Sequence, residues 1–262
     1  MSKGHGMSEK ASRRFSLSPA RLNILELMRL SRDVPLVTAE RTMKLAPLAE
    51  ARRRGSVKIS WTMLFLKAFA TVAARRPELR RAFMKYPYKH LYEHPVSIGT
   101  VIVERECEGE RFPLNFRYRK PDRQSLVDLQ MESTRCQTVP LEEDKSFRQM
   151  RTIGKLPQPL RRLAWAMGYH WSGSKRAHYY GTFGISSPAS DGAGLTTIVS
   201  PLTCTLHYGM FDDDYRLPMR VTFDHRAIDG APIARALAEM EQVLLSDMIA
   251  EIRQIPAASM AA

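Results

Sequence analysis

Cysteine is scarce. Cys107, Cys136 and Cys204 are the only three, far apart and odd in number. That excludes a disulfide-stapled scaffold and a Cys-rich zinc module, and lone thiols of this kind serve as small packing residues rather than nucleophiles. Long apolar runs are missing too. The longest, Trp61 to Ala74, carries Lys67 and falls short of the roughly 20 apolar residues that cross a bilayer. The first fourteen residues are polar and basic, with no apolar stretch of the kind a secretory signal needs. A cytoplasmic globular protein without a membrane span is the expectation. No G-x-G-x-x-G string and no internal repeat occurs. Two apparent motifs fail on context. His90-Leu91-Tyr92-Glu93-His94 spells a zinc-peptidase pattern that works only on a helix. Pro87 and Pro95 bracket it, and Tyr88, His90 and Tyr92 alternate as in a strand. Gly168 to Lys175 ends in Gly-Ser-Lys where a phosphate loop needs Gly-Lys followed by Ser or Thr. No metal site is expected.

What is present is a basic excess, 40 Lys+Arg against 27 Asp+Glu in 262 residues, for a net charge of +13. The arginines come in scattered groups (Arg52-Arg53-Arg54, Arg75-Arg76, Arg80-Arg81, Arg161-Arg162) interrupted by acidic clusters at 142–144 and 212–214. A nucleic-acid surface would be more concentrated and interleaved with aromatics, so nucleic acid ranks last among partners. Anionic small ligands such as nucleotide phosphates, or an acidic carrier, remain. With 44% hydrophobic and 26% charged residues, the chain is long enough for one large core.

Residues 1–14 read as a mobile basic tail and 253–262 as a flexible C-terminal one. Ser18-Pro19 forms an N-cap with proline at the first helical position, predicting a helix to about Arg32 that buries Leu22, Leu25 and Met28. Val34 to Thr42 is β-branched and extended. Ala46 to Arg54 is a short helix closed by Gly55, and Trp61 to Arg76 a buried helix ended by Pro77. Val96 to Val103, a turn at Glu108-Gly109, and the alternating Phe112, Leu114, Phe116 and Tyr118 form a hairpin. Pro121-Asp122 opens a further helix with Leu126, Val127 and Leu129 inward. Phe147 to Tyr180 is basic, aromatic and proline-broken, read as helix and loop. Short strands follow at Gly181 to Ser186 and Thr196 to Ser200. A hairpin then pairs Thr203 to Met210 with Leu217 to Asp224. Ile233, Leu237, Met240, Leu244 and Met248 mark a long final helix. Strands and helices interleave without a βαβ rhythm, so a mixed-sheet α/β domain is expected rather than a Rossmann fold.

The segment richest in chemistry is Asp224-His225-Arg226-Ala227-Ile228-Asp229-Gly230, between an alternating strand and that final helix. A histidine at a strand end projects from a rigid frame, and an imidazole suits general-base work near neutral pH. Asp229 can brace the turn through an ion pair, and Gly230 can supply unusual backbone angles there. The spacing alone, which arises often by chance, favours a satisfied core histidine and a helix-capping aspartate. The whole string, however, resembles the DHRxxDG signature of the catalytic domain of 2-oxoacid dehydrogenase acyltransferases (E2), a family sharing its fold with chloramphenicol acetyltransferase. Gly181-Thr182-Phe183-Gly184-Ile185-Ser186-Ser187 resembles the family's GTFTIS segment. Leu66-Lys67-Ala68 through Arg76-Pro77-Glu78-Leu79 resembles its apolar KA…PEL helix. Leu17 to Arg21 and Val34 to Thr38 resemble its first helix and strand. The likeness runs in order from about residue 15 to 250.

The resemblance implies a chloramphenicol acetyltransferase-like two-layer mixed sheet with helices, over a single large domain at 15–252. It implies that His225 is the general base, Ser186 the oxyanion donor, and Asp229 the aspartate that holds the site's backbone through an arginine, for which Arg21 is the candidate. Arg226 and Gly230 belong to the same motif as its structural support. Coenzyme A or acyl-CoA is implied as a substrate, and a homotrimer, or a multiple of trimers, with sites at subunit interfaces. No lipoyl group is expected on this chain, because its first fourteen residues cannot encode a lipoyl or subunit-binding domain. The family's GLVVP strand is here Gly109-Glu110-Arg111-Phe112-Pro113, and Ser187-Pro188-Ala189 replaces its Asn-Leu-Gly. These changes fall where a lipoyl arm would be received. The expectation is therefore an acyltransferase moving an acyl group from a thioester to a small thiol, hydroxyl or amine acceptor, or to a carrier. Two alternatives stand beside it: an idle E2-like structural or binding trimer, and a core that receives lipoyl domains from another chain among dehydrogenase-complex subunits.

Overall fold

The computed structural model describes residues 12, 14, 16–107, 109–186 and 192–256. The readings at Glu108, at Ser187-Pro188-Ala189 and over most of the two tails lie outside the described residues. A six-stranded mixed sheet organises the rest. Its strands are β1 (Leu36–Lys44), β4 (Ile98–Cys107), β5 (Glu110–Arg119), β6 (Phe183–Ile185), β7 (Cys204–Tyr208) and β8 (Arg216–Asp224), in the order β1-β8-β7-β6-β4-β5. β6 runs parallel to both β4 and β7, while the other pairs are antiparallel. A two-stranded ribbon, β2 (Arg81–Met84) with β3 (His90–Glu93), stands apart. The strand at His90–Glu93 disposes of the zinc-peptidase reading, since its two imidazoles never share a helix face.

One face of the sheet carries the apolar core. Phe112, Leu114, Phe116 and Tyr118 alternate inward along β5, as do Leu217, Met219, Val221 and Phe223 along β8. Helix α3 (Trp61–Arg75) lies across this face, capped by Ser60, whose Oγ accepts the Met63 N–H. Phe69 packs against Phe183 with ring centroids 4.8 Å apart. Helix α3 is joined by α2 (Ala46–Arg54), α4 (Leu126–Thr138), α8 (Gly230–Val243) and α9 (Ile249–Gln254); Leu244–Met248 forms a wider π-type turn between the last two. All five apolar positions expected on the final helix are buried. Lys67, the charge within α3, is held by Glu251 at 2.5 Å from α9.

Three expectations need correction. Thr196–Ser200 forms no strand. The carbonyl before it, Leu195 O, is taken by the Arg220 guanidinium and lies 3.0 Å from His207 Nδ1. Pro121–Arg123 is a 3-10 turn, and α4 begins only at Leu126, where Ser125 caps it. Helix α1 (Pro19–Ser31) keeps its Ser18 cap but turns the other way: Leu25 and Met28 are exposed while Asn23 and Glu26 are buried. The partners decide this. The basic segment after Phe147 folds into α5 (Lys145–Gly154), α6 (Gln158–Ala166) and α7 (Gly173–Tyr180). Part of it packs on α1 with polar groups, Arg161 beside Glu26 and Trp165 Nε1 donating to Asn23 Oδ1 at 3.0 Å. At the far end α9 runs to Gln254, and Ile255 packs on the core.

Candidate active site

His225 leaves the end of β8 on a tight turn built by its neighbours. The Asp224 N–H donates to Thr203 O, and the His225 N–H donates to Pro35 O at 3.0 Å. Asp224 is fully buried. Its Oδ1 accepts both the backbone N–H and Nε of Arg226, and its Oδ2 accepts Arg226 Nη2. The guanidinium also donates to Asp33 O and lies 4.5 Å from the Phe83 ring centroid. The motif's aspartate and arginine thus tie the exit of β8 to the chain before β1 and to β2.

The His225 side chain is about half exposed, with Nδ1 3.4 Å from Asp229 Oδ1. Asp229 is the nearest carboxylate to this imidazole, and the pair is an ion pair only when His225 is protonated. Asp229 is the N-cap residue of α8, but its side chain makes no capping hydrogen bond. The expected Arg21–Asp229 pair is not formed: Arg21 sits on α1, its Nε 3.6 Å from Glu110. Gly230 opens α8 with no left-handed angles, and a Cβ there would meet nothing within 4 Å. Its helical backbone is open to any residue, so the role expected for it falls away.

Ser186 follows β6, its backbone N–H donating to Leu206 O at 3.0 Å. It opens onto a cavity of about 560 Å³ whose walls include Thr62, Val101, Pro113, Gln137 and Leu195. Strand register separates it from His225 of the same chain. Ile185 pairs with Leu206, and Leu206 with Val221, so Ser186 stands level with Arg220. His225 is five residues further along β8. That is about 16 Å along the strands and about 10 Å across two strand spacings. One reacting atom cannot touch both side chains within a single chain.

The basic, aromatic segment holds a second group that its composition hinted at without locating. Arg176 is buried, donates to Phe83 O and Pro201 O at 2.7 Å each, and lies 4.2 Å from the Tyr169 ring centroid. Tyr169 Oη in turn donates to Pro201 O. Next to them, burial and then the cations Arg176, Lys85, Arg226 and Arg29 bring the His170 pKa down to about 4. Met167–Trp171 is a π-type turn that follows a helix, so Gly168 to Lys175 lacks the strand-loop-helix frame of a phosphate loop. Burial pushes the Cys204 thiol up to about 12, in keeping with a packing role. Among the described residues no group of three His, Cys, Asp or Glu side chains is placed to hold a metal ion. No described helix is long and apolar enough to cross a membrane.

No protein-family description matches the chain, and no curated protein matches it. Solved structures do. A probable dihydrolipoamide acetyltransferase of Listeria monocytogenes is 16% identical with a TM-score of 0.60, over 97% of this chain and 99% of that one. The dihydrolipoamide acetyltransferase of Azotobacter vinelandii, studied for the catalytic roles of a serine, a histidine and an asparagine, is 20% identical with a TM-score of 0.60, covering 92% and 94%. A chloramphenicol acetyltransferase is 14% identical with a TM-score of 0.51, covering 83% and 92%. The chain has the chloramphenicol acetyltransferase-like fold, in the form found in E2 catalytic domains.

Proposed function

We propose that the protein is an acyltransferase, moving an acyl group from a thioester such as acyl-CoA to a small thiol, hydroxyl or amine, in sites shared between copies of this chain. The observation that carries this reading is the His225–Asp229 contact at the end of a strand, in a fold common to dihydrolipoamide and chloramphenicol acetyltransferases. In the Azotobacter enzyme the histidine and asparagine under study are likewise four positions apart.

The chemistry follows from the two ends of the sheet. Nε2 of His225 takes the proton from the acceptor as its heteroatom bonds to the thioester carbonyl carbon. The carbonyl oxygen becomes an oxyanion that accepts a hydrogen bond from Ser186 Oγ–H. The intermediate then collapses, the carbon–sulfur bond breaks, and the leaving thiolate recovers the proton from His225. No covalent acyl-enzyme is needed, because positioning supplies what a nucleophilic residue otherwise would. The separation of Ser186 from His225 in one chain means that each site draws its two halves from two copies, and the resemblance to E2 catalytic domains favours a trimer as the closed assembly that brings them together.

The test is acceptor-dependent release of CoA from acyl-CoA by the purified protein, screened over thiol, hydroxyl and amine acceptors. His225→Ala is expected to lower the rate by about 10²–10⁴. Ser186→Ala is expected to lower it by about 10²–10³. A His225→Ala protein as fast as wild type would remove His225 as the base.

A further inference from the structure

Two walls of the Ser186 cavity serve a neighbouring one as well. Ile102 and Pro113 also line a second cavity of about 430 Å³ on the outer face of β4 and β5. That size falls in the range of small-molecule sites, ~300–1,000 Å³. Its floor is the face of β5 opposite the core, carrying Pro113, Asn115 and Arg117, with Ile102 paired to Asn115 across the ladder. Ile24 and Leu27 of α1 and Ile153 of α5 form apolar walls, and Trp165, Trp171 and Tyr180 bring aromatic surface from the segment 158–180.

One end of this apolar chamber is cationic. The Arg117 guanidinium donates from Nη1 to Tyr179 O at 2.7 Å and from Nη2 to Ser146 Oγ at 3.4 Å. Among the described residues it forms no ion pair; Asp144 acts on it only at longer range. Burial pulls its pKa below the usual guanidinium range, the mark of a desolvated charge. Lys175 lines the same cavity, is exposed, and likewise pairs with no carboxylate among the described residues. A half-buried cation at the edge of an aromatic chamber, with donors to spare, is complementary to a carboxylate on an apolar body.

We propose that this chamber binds the apolar body of the substrate and that the substrate ends in a carboxylate held by Arg117, with Lys175 at its outer side. The reacting end then points across Ile102 and Pro113 toward Ser186. The ligand class is a medium-chain aliphatic or aryl-alkyl carboxylate, and Arg117 is its specificity-determining residue. The orientation toward Ser186 rests on the acyltransferase reading; the binding does not.

Calorimetric titration of the full chain with octanoate and 4-phenylbutyrate, and with octanol and 4-phenylbutanol, tests this. The carboxylates are expected to bind once per chain and at least tenfold more tightly than the matching alcohols. Arg117→Gln is expected to erase that tenfold preference and to leave alcohol binding unchanged. Lys175→Gln, a change at an exposed position, is expected to weaken carboxylate binding by a smaller factor, so the idea stays testable if Arg117→Gln does not fold. Equal affinity for acid and alcohol, no binding of either, an Arg117→Gln protein that folds and keeps the preference, or inorganic phosphate competing as well as 4-phenylbutyrate would each overturn it. Carboxylate binding in a protein that transfers no acyl group would sink the transferase reading alone, and transfer without carboxylate binding would sink this inference alone.

Discussion

Arg226 grips Asp224 by both carboxylate oxygens, with Nε–Oδ1 and Nη2–Oδ2 each at 2.9 Å, and His225 is the residue between them. Asp224 is wholly buried and the arginine side chain 28% exposed, so the two partners are not equivalent. Removing the arginine strands a buried carboxylate, whereas replacing the aspartate by asparagine leaves an acceptor oxygen in place. Arg226→Met is therefore expected to lower unfolding free energy by about 3 kcal/mol, the cost of breaking a buried pair. Asp224→Asn should cost clearly less. Urea unfolding of both variants measures this, and equal losses would contradict the asymmetry.

The distance between Ser186 and His225 makes a prediction about mixtures. If each site takes its serine from one copy and its histidine from another, Ser186→Ala and His225→Ala proteins are inactive apart but active together. Unfolded jointly and refolded as mixed assemblies, they rebuild intact sites wherever a wild-type serine meets a wild-type histidine. Activity well above either parent is the expected result in the CoA-release assay. Mixed assemblies as dead as their parents would mean that both side chains serve a site within one chain, contrary to the register of β6, β7 and β8.

Gly99 lies where the sheet comes close to α3. A Cβ there would come within 2.3 Å of Leu66 Cδ1 and 2.8 Å of Phe183 Cζ, both in the core. Neither side chain has free volume to retreat into, since both are fully buried. Gly99→Ala should therefore destabilise by about 1–3 kcal/mol, as overpacking does. A thermal melt unchanged from wild type would show that the core yields there at no cost.

The strands and helices of the core were legible because their periodicity is imposed by one continuous apolar face. Phe112, Leu114 and Phe116 read as a half-buried strand, and Ile233 through Met248 as an amphipathic helix, and both are so. The motif around His225 was legible as a turn for the same reason: a strand and a helix of clear pattern flank it. Helix α1 misled because its covered face is polar; Asn23 and Glu26 are buried by Trp165 and Arg161, residues more than a hundred positions away. Arg21 misled in the same way. A salt-bridge partner is a tertiary choice, and Glu110, from the turn of a hairpin, supplies it. The chamber at Arg117 lay hidden because its wall comes from the proline-broken stretch after Phe147, whose mixture of basic and aromatic residues fits several structures equally well.

His170 carries the last prediction, one of pH. Its Nδ1 is buried without a hydrogen-bond partner among the described residues, its ring lies against Tyr169, and the charged groups acting on it are all cations. Protonation would place a further positive charge among Arg176, Lys85, Arg226 and Arg29, so burial and charge together lower its pKa to about 4. In the unfolded chain an imidazole titrates near ~6.5. Between those two values the unfolded state binds more protons, so folding stability rises with pH in that window. The contribution is complete above about pH 6.5 and is lost progressively as pH falls toward 4. His170→Phe keeps a ring in the same place and has no proton to take up. Melting temperatures of wild type and His170→Phe followed from pH 7.5 to 4.5 should therefore diverge on acidification, with wild type falling more steeply. Parallel curves would show that His170 accepts its proton in the folded protein as readily as in the unfolded chain.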